Sequence, residues 1–130
     1  MVWIKWRWAI LGLSLVLFLT AGYFSDKMVQ GDVADLKELS EGLGVAVETN
    51  NWLGVDHAYA AIDAAWPPIR RRWDLRMHRD EMDDMDLALV RLGGYVEEKD
   101  QAGIASELSA WQMLLTHITH KEIFQWRNLL

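Results

Sequence analysis

Trp8-Ala-Ile-Leu-Gly-Leu-Ser-Leu-Val-Leu-Phe-Leu-Thr-Ala-Gly-Tyr-Phe24 is a run of seventeen residues without one charged side chain. At ~1.5 Å rise per residue a helix of that length covers roughly 25 Å of a hydrocarbon layer about 30 Å thick, so its flanks must complete a crossing. Trp3, Trp6 and Trp8 interleave with Lys5 and Arg7 at one end, and Tyr23 and Phe24 close the other. Amphipathic aromatics and snorkelling cations are what a membrane interface favours. The cations precede the run and Asp26, Asp32, Asp35, Glu38 and Glu41 follow it. This asymmetry places the amino terminus in the cytoplasm and the remainder outside, in a single-pass protein of the cell membrane. A cleaved signal peptide competes with this reading, with Thr20-Ala21-Gly22 as the processing site. The retained anchor is favoured, because the run is longer than an ordinary signal core and ends in an aromatic belt.

Beyond the run, all 19 acids and 11 of the 13 basic residues remain, so the exported part carries a net charge of −8. An acidic chain lacks the phosphate-neutralising surface of non-specific nucleic-acid binding. The absence of cysteine excludes disulfides, zinc-thiolate sites, iron–sulfur ligation, thiol catalysis and lipoprotein processing. One domain and one appendage suit 130 residues: a cytoplasmic stub and anchor over 1–25 and an exported domain over 26–130.

The exported part shows helical periodicity, in four apolar ladders that step by three and four residues. The first is Val33, Leu36, Leu39, Leu43 and Val47, with Asp32 as its N-cap. After the polar turn Thr49-Asn50-Asn51 comes Trp52, Val55, Tyr59, Ile62 and Trp66, extended by Ile69 and Trp73. Pro67 and Pro68 are expected to break or kink this helix, because neither donates a backbone hydrogen bond. The third ladder, Met82, Met85, Leu89, Leu92 and Val96, opens with acids that suit a helix amino terminus. Asp100 caps the fourth, Ile104, Leu108, Trp111, Leu115 and Ile118. Short connections at Asn50 and Asp100 imply two antiparallel hairpins. The fold class is therefore all-α, a transmembrane helix followed by a small antiparallel bundle of two helical hairpins.

A shift of 49 residues superposes Val33 on Met82, Leu43 on Leu92 and Val55 on Ile104. Duplication or tetratricopeptide-like repetition gives this match, and so do any two heptad-patterned hairpins, since 49 is seven heptads.

Candidate chemistry is sparse. His117 and His120 have a spacing that can place two imidazoles on one metal, but no second pair accompanies them. Asp80, Glu81, Asp83, Asp84 and Asp86 lack the central glycine and distal glutamate of an EF-hand. Both read better as helix-end charge patterns, and no phosphate loop or nucleophile elbow is present. The expectation is a protein that is not an enzyme, without catalytic residues, metal or cofactor.

Arg70, Arg71, Arg72, Arg76 and Arg79 stand out in this acidic domain. On a continuous helix Arg76 would pair with Asp80, and Arg79 with Asp83. Alternatively, the up-and-down topology returns this segment and the chain's end to the membrane-proximal side. Arg70, Arg71, Arg72, Trp73, Phe124, Trp126 and Arg127 would then form an interface for a partner or for lipid headgroups.

His78-Arg79-Asp80-Glu81-Met82-Asp83-Asp84-Met85-Asp86-Leu87-Ala88-Leu89-Val90-Arg91-Leu92, with Tyr95 and Asp100, resembles the bacterial family known as domain of unknown function 4363. The family's pattern there reads like His-x-Glu-Ile-Asp-x-Ile-Asp-x-Ser-Leu-x-Arg-Leu, and its Leu-Ser-Leu-Lys-Asn-Ile-Leu ending corresponds to Phe124-Gln125-Trp126-Arg127-Asn128-Leu129-Leu130. Trp66, Trp73, His117, Ile118, Glu122 and the amino-terminal anchor join the likeness. This chain departs from the pattern at Met82, Met85, Ala88 and the Pro67-Pro68 pair. The resemblance implies location and architecture but no activity. It implies a product of spore-forming Gram-positive bacteria, encoded near YetF-like membrane proteins. The expected function is a membrane-anchored accessory subunit that interacts with an integral membrane protein, with a YetF-like protein as first partner. An extracytoplasmic helical module for a small ligand or cation is the alternative.

Overall fold

The computed structural model describes residues 2–129, with side chains to residue 118, and its elements are four helices. These are α1 (Val2–Glu48), α2 (Trp52–Trp73), α3 (Arg79–Glu98) and α4 (Gln101–Leu129). The chain divides into two compact units, Met1–Gly31 and Asp32–Leu130.

In the first unit α1 presents its apolar side chains outward from Val2 to Phe24, and this is the one helix among the described residues long and apolar enough to cross a membrane. Trp3, Trp6, Trp8, Tyr23 and Phe24 are all exposed. The Tyr23 and Phe24 rings meet edge to face at 6.2 Å, and the Lys27 ammonium lies 4.9 Å from the Tyr23 ring centroid. A cation held over an aromatic face fits a wet interface, where the ring's quadrupole attracts it.

In the second unit the helices form an antiparallel bundle in the order α1, α2, α3, α4. Asp32 of α1 meets Arg72 and Trp73 of α2. Tyr59 and Trp66 of α2 bond to Leu89 and Asp86 of α3. Tyr95 of α3 packs against Gly103 of α4. The circuit closes where Gln112 and Gln101 of α4 donate to the Ser40 hydroxyl and the Val47 carbonyl of α1, both at 3.2 Å. The α2–α3 and α1–α4 pairings step down one helix as they step up its neighbour, and the short turns at Asn50 and Lys99 reverse the chain within the other two pairs, so the neighbours are antiparallel. Trp66 and Trp111 cross the interior from α2 to α4, edge to face at 5.4 Å.

The ladders of α3 and α4 are buried at every position, from Met82 to Val96 and from Ile104 to Ile118. The hairpin turns carry Asn50 and Lys99 in the left-handed region, each with φ 54°. Asn tolerates that conformation through local hydrogen bonding, and a single such residue reverses a helix end. Asn51 and Asp100 then cap α2 and α4, accepting from the Gly54 and Gly103 amides at 3.1 and 3.0 Å.

Three expectations are corrected. Asp32 is not an N-cap: it lies inside α1, whose amides are already paired with the preceding turn, so its carboxylate takes side-chain donors instead. The buried stripe of α1 accordingly runs Asp32, Leu36, Ser40, Leu43 and Val47, leaving Val33 and Leu39 half-buried. Pro67 and Pro68 do not break α2, which continues to Trp73. The carbonyls that lose an amide partner belong to Asp63 and Ala64, both exposed residues to which water has access.

Candidate functional site

The arginine segment closes α2 and the turn that follows, and the structure sorts its members by partner. The Arg70 guanidinium binds Asp86 and Asp83, the latter at 3.2 Å, with Asp74 at 3.8 Å. Asp86 also accepts the Trp66 indole N–H at 2.6 Å, so one carboxylate ties two residues of α2 to α3. Arg72 binds Asp32 at 2.7 Å, and Trp73 donates its indole N–H to the same carboxylate at 3.2 Å. The hydrogen bond that Arg72 donates to Asp32 pushes the Arg72 pKa up, against a smaller lowering by burial.

Trp73 is fully buried, which corrects its expected place on an exposed interface. Arg70 and Arg72 are likewise committed to partners within the bundle. The expected i,i+4 pairing of Arg76 with Asp80 presumed a continuous helix, whereas α2 ends at Trp73 and residues 74–78 form a turn. Asp83 faces Arg70 rather than Arg79. The side chains of His120, Glu122, Phe124, Trp126 and Arg127 lie outside the described residues.

Arg71 and Arg79 are exposed and hold no ion pair among the described residues. Between them stands Leu75, 93% exposed, more than Trp3 of the apolar segment at 84%. Sequence reading missed it because a single leucine in a charged turn has no periodicity to mark it.

A second surface lies on the outer side of the α3–α4 hairpin. Met113 of α4 is 69% exposed, and Leu87 of α3 is exposed on the same groove. Across the exposed face of α4, Ala102, Ala105, Ser106, Ser109, Ala110 and Met113 follow one another without a charge. Leu87, Ala88, Ala110, Met113 and Leu114 line a shallow groove of about 460 Å³, with Asp84, Arg91 and Glu107 among its polar lining. The sequence signal for this surface is the near absence of charge in α4, whose only acid up to residue 118 is Glu107.

A wider groove of about 770 Å³ separates α1 from α2, with Asp35 and Glu38 beside Gly42, Ala58, Ala65 and Pro68. Among the described residues no three His, Asp or Glu side chains converge as a metal-binding group, and His117 is exposed. The Tyr59 hydroxyl, donating to the Leu89 carbonyl at 3.2 Å, has its pKa raised by burial and then by Asp63 and Glu97.

An antiparallel four-helix bundle whose first helix also carries, at its amino-terminal end, a segment apolar enough to cross a membrane is the class of protein these features define. Within that class the chain belongs to the family described as domain of unknown function DUF4363, whose model matches residues 23–129. The match begins at Tyr23, so the apolar run lies almost wholly before it. No curated protein and no solved structure matches the chain.

Proposed function

We propose that this protein is a non-enzymatic accessory subunit of a membrane complex, anchored by a retained single-pass helix with its amino terminus in the cytoplasm and its bundle outside. The α3–α4 groove carries this reading, with Leu87 and Met113 exposed among alanine and serine and only Asp84, Arg91 and Glu107 charged in its lining. Small side chains allow a second helix to approach closely, and exposed apolar side chains gain by being covered. The partner is an integral membrane protein that lays a helix along this face, with a YetF-like protein as the first candidate. The alternative of a small-ligand or cation module is less well supported, because Asp83 and Asp86 of the acidic cluster are already bound by Arg70.

Purification of the full chain from its native host in mild detergent tests the proposal. The expected result is one integral membrane protein in stoichiometric amount, lost on Met113→Glu or Leu87→Glu with the melting temperature retained. A chain that purifies alone, or variants that keep the partner, would overturn it.

A further inference from the structure

We propose that the turn between α2 and α3 is a lipid-contacting element, in which Leu75 enters the headgroup layer of an anionic membrane while Arg71 and Arg79 bind its phosphates. This goes beyond the accessory-subunit reading, since it concerns a different surface and a different occupant.

Five of the eleven basic residues outside the apolar segment fall between Arg70 and Arg79, in a part of the chain whose net charge is −8. Such a domain is repelled by anionic lipid everywhere except where cations collect. Two of the five are consumed by the fold: Arg70 by Asp83 and Asp86, and Arg72 by Asp32. Arg71 and Arg79 are left with their guanidinium donors available, each four residues from Leu75 in sequence. Asp74, the acid nearest Leu75 in sequence, is within 3.8 Å of Arg70, which offsets its charge.

Leu75 is also held in place. The amides of Arg76 and Met77 both bond to the Trp73 carbonyl at 2.9 Å, and Trp73 is fixed by Asp32. A preset turn that projects one leucine between two arginines without an ion pair among the described residues inserts without first being ordered, which removes an entropic cost of binding. Asp32 lies eight residues beyond Phe24, the last residue of the uncharged run. Eight residues span at most about 30 Å of chain, so a bilayer that holds the uncharged run would keep Asp32 within that length of its surface.

The cysteine-free sequence permits a direct test on the full chain. Leu75→Cys receives an environment-sensitive dye, and Leu53→Cys, at an exposed leucine beside the opposite turn, receives the same dye in a second protein. Each is reconstituted in phosphatidylcholine vesicles with or without about a quarter phosphatidylglycerol, the anionic component supplying the surface potential. The Leu75 dye is expected to report an apolar environment in the anionic vesicles alone and to return to water at high salt, whereas the Leu53 dye stays in water throughout. Arg71→Gln and Arg79→Gln should each lower the ratio of inserted to free turn about fivefold, the equivalent of about 1 kcal/mol per basic residue at such a surface. Neither variant should change the melting temperature, because neither side chain holds an ion pair among the described residues.

A Leu75 dye that remains in water in anionic vesicles overturns the proposal, as does one that responds equally without phosphatidylglycerol. Flotation reads the anchor separately. Protein that floats with both vesicle types while its Leu75 dye stays in water keeps its anchor and refutes the lipid contact. Protein that floats with anionic vesicles alone, with the dye response intact, keeps the contact and loses the anchor.

Discussion

Asp32 and Trp73 are 41 residues apart in sequence and share a hydrogen bond of 3.2 Å in the interior, the indole N–H donating to the carboxylate. Asp32 is buried in the middle of a helix, and its second interaction, with the partly exposed Arg72, does not by itself account for placing a carboxylate there. Partly exposed ion pairs contribute roughly 0 to 1 kcal/mol, whereas a buried donor left without an acceptor costs about 1 to 3 kcal/mol.

Asp32→Ala should therefore destabilise the detergent-solubilised protein by about 2 to 3 kcal/mol and Arg72→Ala by less than ~1 kcal/mol. Asp32→Asn should fall between them, because its amide oxygen still accepts from Trp73. Thermal unfolding followed by helical circular dichroism measures all three. Equal losses for Asp32→Ala and Arg72→Ala would mean that the ion pair, not the indole bond, is what the site provides.

Trp66 joins two systems, packing edge to face against Trp73 at 5.6 Å and Trp111 at 5.4 Å while donating to Asp86. Trp66→Ala should cost ~3 to 5 kcal/mol through the cavity it opens in the centre of the bundle. Trp66→Phe keeps much of the ring packing and loses the hydrogen bond, but Arg70 still satisfies Asp86, so about 1 to 2 kcal/mol is expected. An alanine variant as stable as the parent would place Trp66 outside the core.

The ladders of α2, α3 and α4 could be read in the sequence because apolar side chains recur there at a helix's own period. What escaped reading was polar. Asp32 and Ser40 occupy buried positions of α1, and a sequence gives no reason to turn a carboxylate inward until Trp73 is known to lie opposite. The arginine segment failed for a related reason: local spacing paired Arg79 with Asp83, while the fold brought Arg70 to Asp83 from another helix. Local rules see along one helix and not between two. At Pro67-Pro68 a break is one of two expected outcomes and α2 continues instead, since a rule about lost amides says nothing of whether water can reach the carbonyls they abandon.

The glycines divide by what a methyl group would meet. At Gly42 and Gly94 nothing lies within 4 Å of an added Cβ, so Gly42→Ala and Gly94→Ala should each stabilise the helix by up to ~1 kcal/mol. At Gly103 the Cβ would fall within the Tyr95 ring, near its attachment to the backbone, where the ring has little room to swing. Gly103→Ala should cost about 1 to 3 kcal/mol despite its better helix propensity. Melting temperatures that rise for the first two and fall for the third would establish that Tyr95 seats on α4 through this glycine; a rise for all three would remove that contact from the account.

Tyr59 provides a titration that can be assigned to one residue. Burial, followed by the nearby Asp63 and Glu97 carboxylates, raises its pKa above the ordinary value of 10.0, so the folded state favours the neutral phenol more than the unfolded chain does. Its contribution to stability is fully present below the unfolded-state pKa and is lost as pH rises through the folded-state value. The parent should therefore lose stability in alkali more steeply than Tyr59→Phe, which cannot ionise. Near neutral pH the order reverses: the Phe variant lacks the bond to the Leu89 carbonyl and should be less stable by about 1 kcal/mol. Denaturant midpoints measured from neutral pH to above pH ~10 should converge for the two proteins, because the phenolate must leave its half-buried site beside two carboxylates. Midpoints that decline in parallel would assign the alkaline loss to other groups and show that the Tyr59 hydroxyl is as well solvated in the bundle as in the unfolded chain.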